Sequence, residues 1–197
     1  MKCFRKNLLS HGVFTTAIFG VLLLFVAFGN NESAQAAPGE AVILETTVTG
    51  GLSSREAQAL VSEGLTPVLV TAANWATMSQ EDFASYDAIV FGDKTCSTDP
   101  VTCMGPATAN YDVWGPVIDG NIIIIGSDPV YHSGSRPGAI TLINQGIAFA
   151  VDEVSKTGAY IDLSCYYHYS PSGTVVPFLE GISGGGFSVI GASSLPG

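Results

Sequence analysis

The sequence predicts an α/β protein with three layers: a mostly parallel sheet of five to six strands, with helices on both faces. Three observations carry this prediction. From residue 41 onward, short apolar runs alternate with segments of helical period, the pattern of strands joined by crossover helices. The run Asn121–Gly126 (NIIIIG) is uncharged and β-branched, which suits a strand buried on both faces in the middle of a parallel sheet. Ile140, Ile143, Ile147, Val151 and Val154 recur at i, i+3/i+4. They mark the clearest helix, residues 139–154, with Gly158 closing it.

The other elements follow in chain order. Residues 41–47 (AVILETT) form the first apolar run, and Gly50-Gly51 is a turn signal. Ser53 with Glu56 fits a capping box for a helix bearing Ala57, Leu60 and Val61, with Gly64 as its stop. Residues 66–71 (TPVLVT) read as the second strand. Ser79 caps a short helix with Phe83 and Tyr86, and residues 88–93 (AIVFGD) are the third strand. Tyr111, Trp114 and Ile118 suggest an irregular helix over 107–119, which Gly115-Pro116 interrupts. Residues 159–165 (AYIDLSC) read as the fifth strand. Residues 174–182 read as a helix, with Pro177 in its first turn, and residues 187–190 as a last short strand.

The chain's start is of a different character. Lys2, Arg5 and Lys6 precede an uncharged apolar stretch, 13–29, and then Ala34-Gln35-Ala36, a small-x-small site. That order marks residues 1–36 as a secretory signal peptide. The apolar stretch also approaches the roughly 20 residues of a spanning helix, so an uncleaved anchor is the alternative. Either way residues 37–197 form a single domain that is exported, whether periplasmic, cell-surface or extracellular. The ending Leu195-Pro196-Gly197, with no closing helix, fits either a natural end or a C-terminal truncation.

Removing residues 1–36 takes Lys2, Arg5, Lys6 and Glu32 from a chain of net charge −10 and leaves −12. So acidic a surface argues against nucleic-acid partners, because phosphate binding relies on Lys and Arg. Membrane contact is expected only through an uncleaved N-terminal segment. Of the three cysteines left, Cys96 and Cys103 share one loop-like stretch, 95–103, and an oxidising compartment favours a disulfide between them. Cys165 is then buried and inert, reactive, or paired with another chain. No spacing suggests a metal site, and no cofactor fingerprint is present. Gly50-Gly51 lacks both the lysine of a P-loop and the glycine pattern of a dinucleotide site.

Ligands of parallel α/β sheets bind beyond the carboxyl ends of the strands, which reduces the chain to a few loops. After the third strand come Asp93 and Lys94. There Asp93 either binds a metal or polarises a bound ligand, or it caps a turn with a surface ion pair. After the fourth strand, residues 126–136 (GSDPVYHSGSR) hold Ser127, Asp128, Tyr131, His132 and Arg136. Asp and His together can do acid–base work, since imidazole titrates near neutrality and a carboxylate fixes its tautomer. The local alternative is an Asx turn at Asp128 and a packed His132. After the fifth strand come Cys165, Tyr166, Tyr167, His168 and Tyr169. A thiol beside an imidazole can be a nucleophile if the thiolate is stabilised. The tyrosines read as a rim or lid over a ligand.

Residues 88–93 as a third strand ending in a Gly-containing loop, and 121–126 running into a sharp turn and a long helix, resemble the class I glutamine amidotransferase-like superfamily. The resemblance covers about residues 41–165 and implies a flavodoxin-like fold. Catalytic members place a nucleophilic cysteine in a G-x-C-x-G elbow. Here the stretch is Gly126-Ser127-Asp128-Pro129-Val130, with Asp128 in the nucleophile's place and Val130 replacing the second glycine. The resemblance therefore implies a divergent member without that acyl-enzyme chemistry. The expected function is a non-enzymatic binding or interaction module for a small molecule, carbohydrate or protein. The loops ending the third to fifth strands would be its contact surface. The alternative is a hydrolase or transferase using Asp128 and His132, with or without Cys165 and His168. A structural protein tethered to the envelope by residues 13–29 is the third reading.

Overall fold

The computed structural model describes residues 39–92, 94, 100–167 and 170–190, apart from the side chains of Pro100, Val101, Ser164 and Cys165. The signal segment, Asp93, Cys96 and His168 lie outside the described residues. Among the described residues, no helix is long and apolar enough to cross a membrane.

Five strands form one sheet: β1 (Glu40–Leu44), β2 (Thr66–Val70), β3 (Ala88–Phe91), β4 (Ile122–Ile125) and β5 (Gly158–Asp162). Their order is β2-β1-β3-β5-β4, and every pairing is parallel. Helix α1 (Arg55–Ser62) links β1 to β2; α2 (Ala72–Trp75) and α3 (Gln80–Ala84) link β2 to β3. Then α4 (Pro100–Ala109) and α5 (Tyr111–Trp114) precede β4, while α6 (Pro129–His132) and α7 (Pro137–Ala150) precede β5. A single turn, α8 (Ser164–Tyr167), follows β5.

Alternating strand residues feed two cores. Val42, Leu44, Ile89, Phe91, Ala159 and Ile161 face α2–α5, whereas Ala41, Ile43, Ala88, Val90 and Tyr160 face α1 and α7. The crossovers β1→β2 and β4→β5 run the same way across the sheet, and α1 packs on α7. The other two crossovers run the opposite way, and their helices pack on the opposite face. One common crossover hand accounts for this split, and the right hand is nearly universal. The predicted three-layer α/β class is the observed one. Relative to the flavodoxin-like order 2-1-3-4-5, the last two strands exchange places.

Several local expectations are corrected. The isoleucine run is an edge strand, and Ile124 is 38% exposed. A continuous β-branched run fits either position, and only the crossovers decide between them. The cap of α1 is Ser54, whose hydroxyl accepts from the Ala57 amide, and Glu56 is fully buried. Helix α7 ends at Ala150; Val154 is 90% exposed, and Gly158 starts β5. Residues 100–109 are helical, so Cys103 is buried on α4 and not in a loop; the expected bond to Cys96 lies outside the described residues. Residues 177–181 form a 3-10 turn, and the expected last strand is only the bridge Val175–Ser188. The capping box at Ser79 with Asp82 is present.

Candidate functional site at the carboxyl edge of the sheet

The chain turns from β4 into α6 with Pro129 at the first helical position, where its fixed φ suits the helix and its missing N–H is no loss. Asp128 precedes it at φ −99°, ψ 71°, so the turn needs no left-handed backbone. Its side chain makes no capping bond. The carboxylate Oδ1 instead lies 3.0 Å from the Nε2 of His132, an i,i+4 pair across one helical turn. Tyr131 is exposed, and its ring stands edge-on to that of His132, centroids 5.2 Å apart.

The next residues are fixed by their own bonds. The Ser133 hydroxyl donates to the Val130 carbonyl at 2.8 Å, and the Arg136 amide donates to the His132 carbonyl at 2.9 Å. Arg136 is the N-cap of α7, whose first turn carries no acidic residue. These elements enclose an open pocket of about 310 Å³. Ser127, Asp128, Pro129, His132, Arg136, Ala139 and Leu142 border it, and the surface they turn to it is almost wholly apolar. The structure thus brings together four of the loop's predicted residues, with Tyr131 beside them and absent from the lining.

The fifth-strand loop is placed differently. β4 and β5 are neighbours, so the loops after them share one edge of the sheet. Tyr166 is only 3% exposed, and its hydroxyl lies 3.0 Å from the Gly92 carbonyl oxygen and 3.3 Å from that of Thr47. It ties the ends of β3 and β1 together from inside, so it is a strut and not the rim residue expected. The Thr47 hydroxyl completes this fastening, donating to Leu44 O and accepting from the Gly92 amide at 3.0 Å. Tyr167 is half-buried. Cys165 stands on α8 with its side chain outside the described residues, as are His168 and Asp93.

Two buried acids at this edge were not singled out as site residues from sequence. Glu56 on α1 is fully buried against Gly92: a Cβ there would meet Val48 Cγ1 at 2.7 Å and the Glu56 Cδ at 2.8 Å. Asp162 is the buried last residue of β5, in register with Ile125. A carboxylate inside an otherwise apolar strand was the available signal for Asp162. The capping-box reading hid Glu56.

Burial raises the Tyr167 phenol above its ordinary value near 10. Burial, then the charges of Glu40 and Asp82, do the same for Tyr86. The folded chain holds these protons at a pH where the unfolded chain has released them. Their stabilisation is therefore complete below about pH 10 and is lost as pH rises through the raised folded values. Urea midpoints are expected to fall above that pH, and less steeply in the Tyr86→Phe/Tyr167→Phe double variant. Parallel curves would exclude these two phenols as the cause.

No family model, curated protein or solved structure matches the chain.

Proposed function

We propose that this chain is an exported ligand-binding module, not an enzyme, whose contact surface is formed by the loops after β3, β5 and β4 and centres on residues 127–136. The observation that carries this reading is the pocket of about 310 Å³ lined by Ser127, Asp128, His132 and Arg136. That volume is at the small end of ligand sites, which are concave and mostly apolar. The divergent elbow sequence supports the same reading, since Asp128 stands where related catalytic sequences carry a thiol. The region 1–36 supports export.

The Asp128–His132 pair at 3.0 Å favours one second reading, a hydrolase or transferase with His132 as the base. Among the described residues, no side-chain hydroxyl is hydrogen-bonded to the Nδ1 of His132, so that reading needs a nucleophile brought by the substrate or by Cys165. A metabolite library followed by NMR separates the two. Binding is expected to shift the amides of residues 127–142 saturably, with the ligand recovered unchanged. A product that His132→Ala abolishes would replace the binding reading with the enzymatic one.

A further inference from the structure

We infer that the chain pairs with a second copy of itself along the outer edge of β4, about a two-fold axis that joins the two sheets into one. β4 is the last strand of the sheet. The carbonyl oxygens of Asn121 and Ile125 accept from the Ala159 and Leu163 amides, on the β5 side, at 2.8 and 2.9 Å. Backbone groups alternate in direction along a strand, so those of Ile122 and Ile124 point outward, where no strand pairs with them among the described residues. Such an edge is a template for another strand, and proteins usually blunt it with charge or proline. The opposite edge is blunted in this way. The Thr66 amide donates to Gly39 O at 2.6 Å, so the next residue of β2, Pro67, turns its donor-less nitrogen outward. β4 carries no such guard. Residues 120–127 and 137–151, which include β4 and α7, hold no charge in a chain of net charge −10.

The occupant follows from how this edge matches its own copy. An antiparallel pair centred on Ile123 sets Ile122 of each copy opposite Ile124 of the other, and each outward N–H then meets an outward C=O. Helix α7 arrives at the same register independently. It lies above that centre: a Cβ on Gly146 would be 3.4 Å from Ile123 Cδ1. Leu142 and Phe149 are 36% and 47% exposed, and their spacing of seven puts them on one flank of α7. Ile147, on the other flank, packs toward α1, so the Leu142–Phe149 flank faces the open edge. Leu142 stands four residues before Gly146 and Phe149 three after it, so the same two-fold brings Leu142 of each copy against Phe149 of the other. The two ends agree with this. The Asn121 side chain donates to Phe149 O at 3.0 Å at the start of β4, and Leu142 borders the apolar pocket past its end. Once β4 is used in both copies, the joined sheet ends in β2 on either side, and Pro67 stops it there. The uncharged strip is also where two chains this acidic can approach closely. It is about 20 Å long and two elements wide, at the small end of stable interfaces, so the pair is expected to dissociate in the micromolar range. Pairing does not depend on what the pocket binds.

Sedimentation equilibrium of the full chain, loaded from micromolar to millimolar, makes the test. A monomer–dimer equilibrium is expected, tighter at high salt than at low because both copies are acidic. Ile124→Lys and Phe149→Glu are each expected to weaken it at least tenfold. Val61→Lys, at a comparably exposed apolar position on α1, is expected to leave it unchanged. Urea midpoints check that the variants fold. In the wild type the Ile122 and Ile124 amides are expected to exchange hydrogen more slowly as concentration rises. Unchanged exchange at those two amides in the dimer would overturn the strand pairing whatever the variants do. A monomer at every concentration would overturn the second copy and leave the edge to a strand of another protein. Species larger than the dimer would overturn the closed pair. A dimer that survives both Ile124→Lys and Phe149→Glu, or one that Val61→Lys dissociates as strongly, would place the contact elsewhere and overturn the inference.

Discussion

Gly158→Ala is expected to lower the free energy of unfolding by about 3 kcal/mol or more, the upper range for overpacking. The added methyl would fall on the carbonyl oxygen of Ala150, the last residue of α7, and lie 2.9 Å from the Asn121 carbonyl oxygen. Both obstacles are backbone, so no rotamer change clears them. The strand cannot shift freely either. The Gly158 amide donates to Asp87 O at 2.9 Å, and β5 is bonded on both sides, to β3 and β4. Relief has to come from moving α7 outward, which opens the core of Ile143, Ile147 and Tyr160. Because α7 also carries Ala139 and Leu142 of the pocket, ligand binding should weaken with stability. The same one-methyl change at Gly138, where nothing lies within 4 Å of an added Cβ, supplies the control. It is expected to leave stability within about 0.5 kcal/mol or raise it slightly. Urea unfolding of the two variants reads this directly, and a Gly158→Ala loss below about 1 kcal/mol would show that α7 and β5 are not locked together there.

The sequence made the layers legible but not the seating of the elements within them. Residues 41–47, 88–93 and 159–165 read as strands because each is short, largely apolar and bounded by turn residues, and the observed strands fall at residues 40–44, 88–91 and 158–162. Their burial follows from composition alone. The four isoleucines of β4 carry the same local signal and yet stand at the edge. Position in a sheet is set by the direction and hand of crossovers, which involve residues far apart in sequence. Val154 continues the apolar period of α7 past its end, because periodicity does not register where the chain must turn back to reach β5. Helix α4 was hidden by Gly105 and Pro106, although Met104 and Ala107 are buried on it. At the site, the proximity of Asp128 and His132 was readable, since a spacing of four closes on one turn of helix. The inward turn of Tyr166 was not, because a tyrosine after a strand serves equally as a rim or as a strut. The buried acids Glu56 and Asp162 show the same limit: the charge is visible in the sequence, and the space that receives it is not.

Trp114→Ala is expected to cost about 4 kcal/mol, within the range for truncating a buried tryptophan, and to loosen the C-terminal segment along with the core. Trp114 is fully buried, and its indole N–H donates to the Ala107 carbonyl at 2.9 Å, holding α5 to α4. Its ring lies 4.8 Å from that of Phe91 on β3 and 6.2 Å from that of Phe178, while Phe91 and Phe178 meet edge-on at 5.5 Å. Phe178 belongs to the 3-10 turn Pro177–Gly181, which adds no strand to the sheet. That segment is held by packing, and next to Trp114 the chains approach backbone to backbone: a Cβ on Gly115 would lie 2.6 Å from the Gly181 carbonyl oxygen. Removing the indole takes away the surface on which Phe178 rests and the bond that fixes Gly115 beneath Gly181. Trp114→Phe keeps a ring in the cluster and loses the donor to Ala107, so a smaller loss of about 1–2 kcal/mol is expected. Limited proteolysis distinguishes this from uniform destabilisation. Cleavage within residues 170–190 should appear in Trp114→Ala at urea concentrations where β1 and β3 remain protected from hydrogen exchange. Simultaneous loss of both would mean that the aromatic cluster and the sheet unfold as one unit.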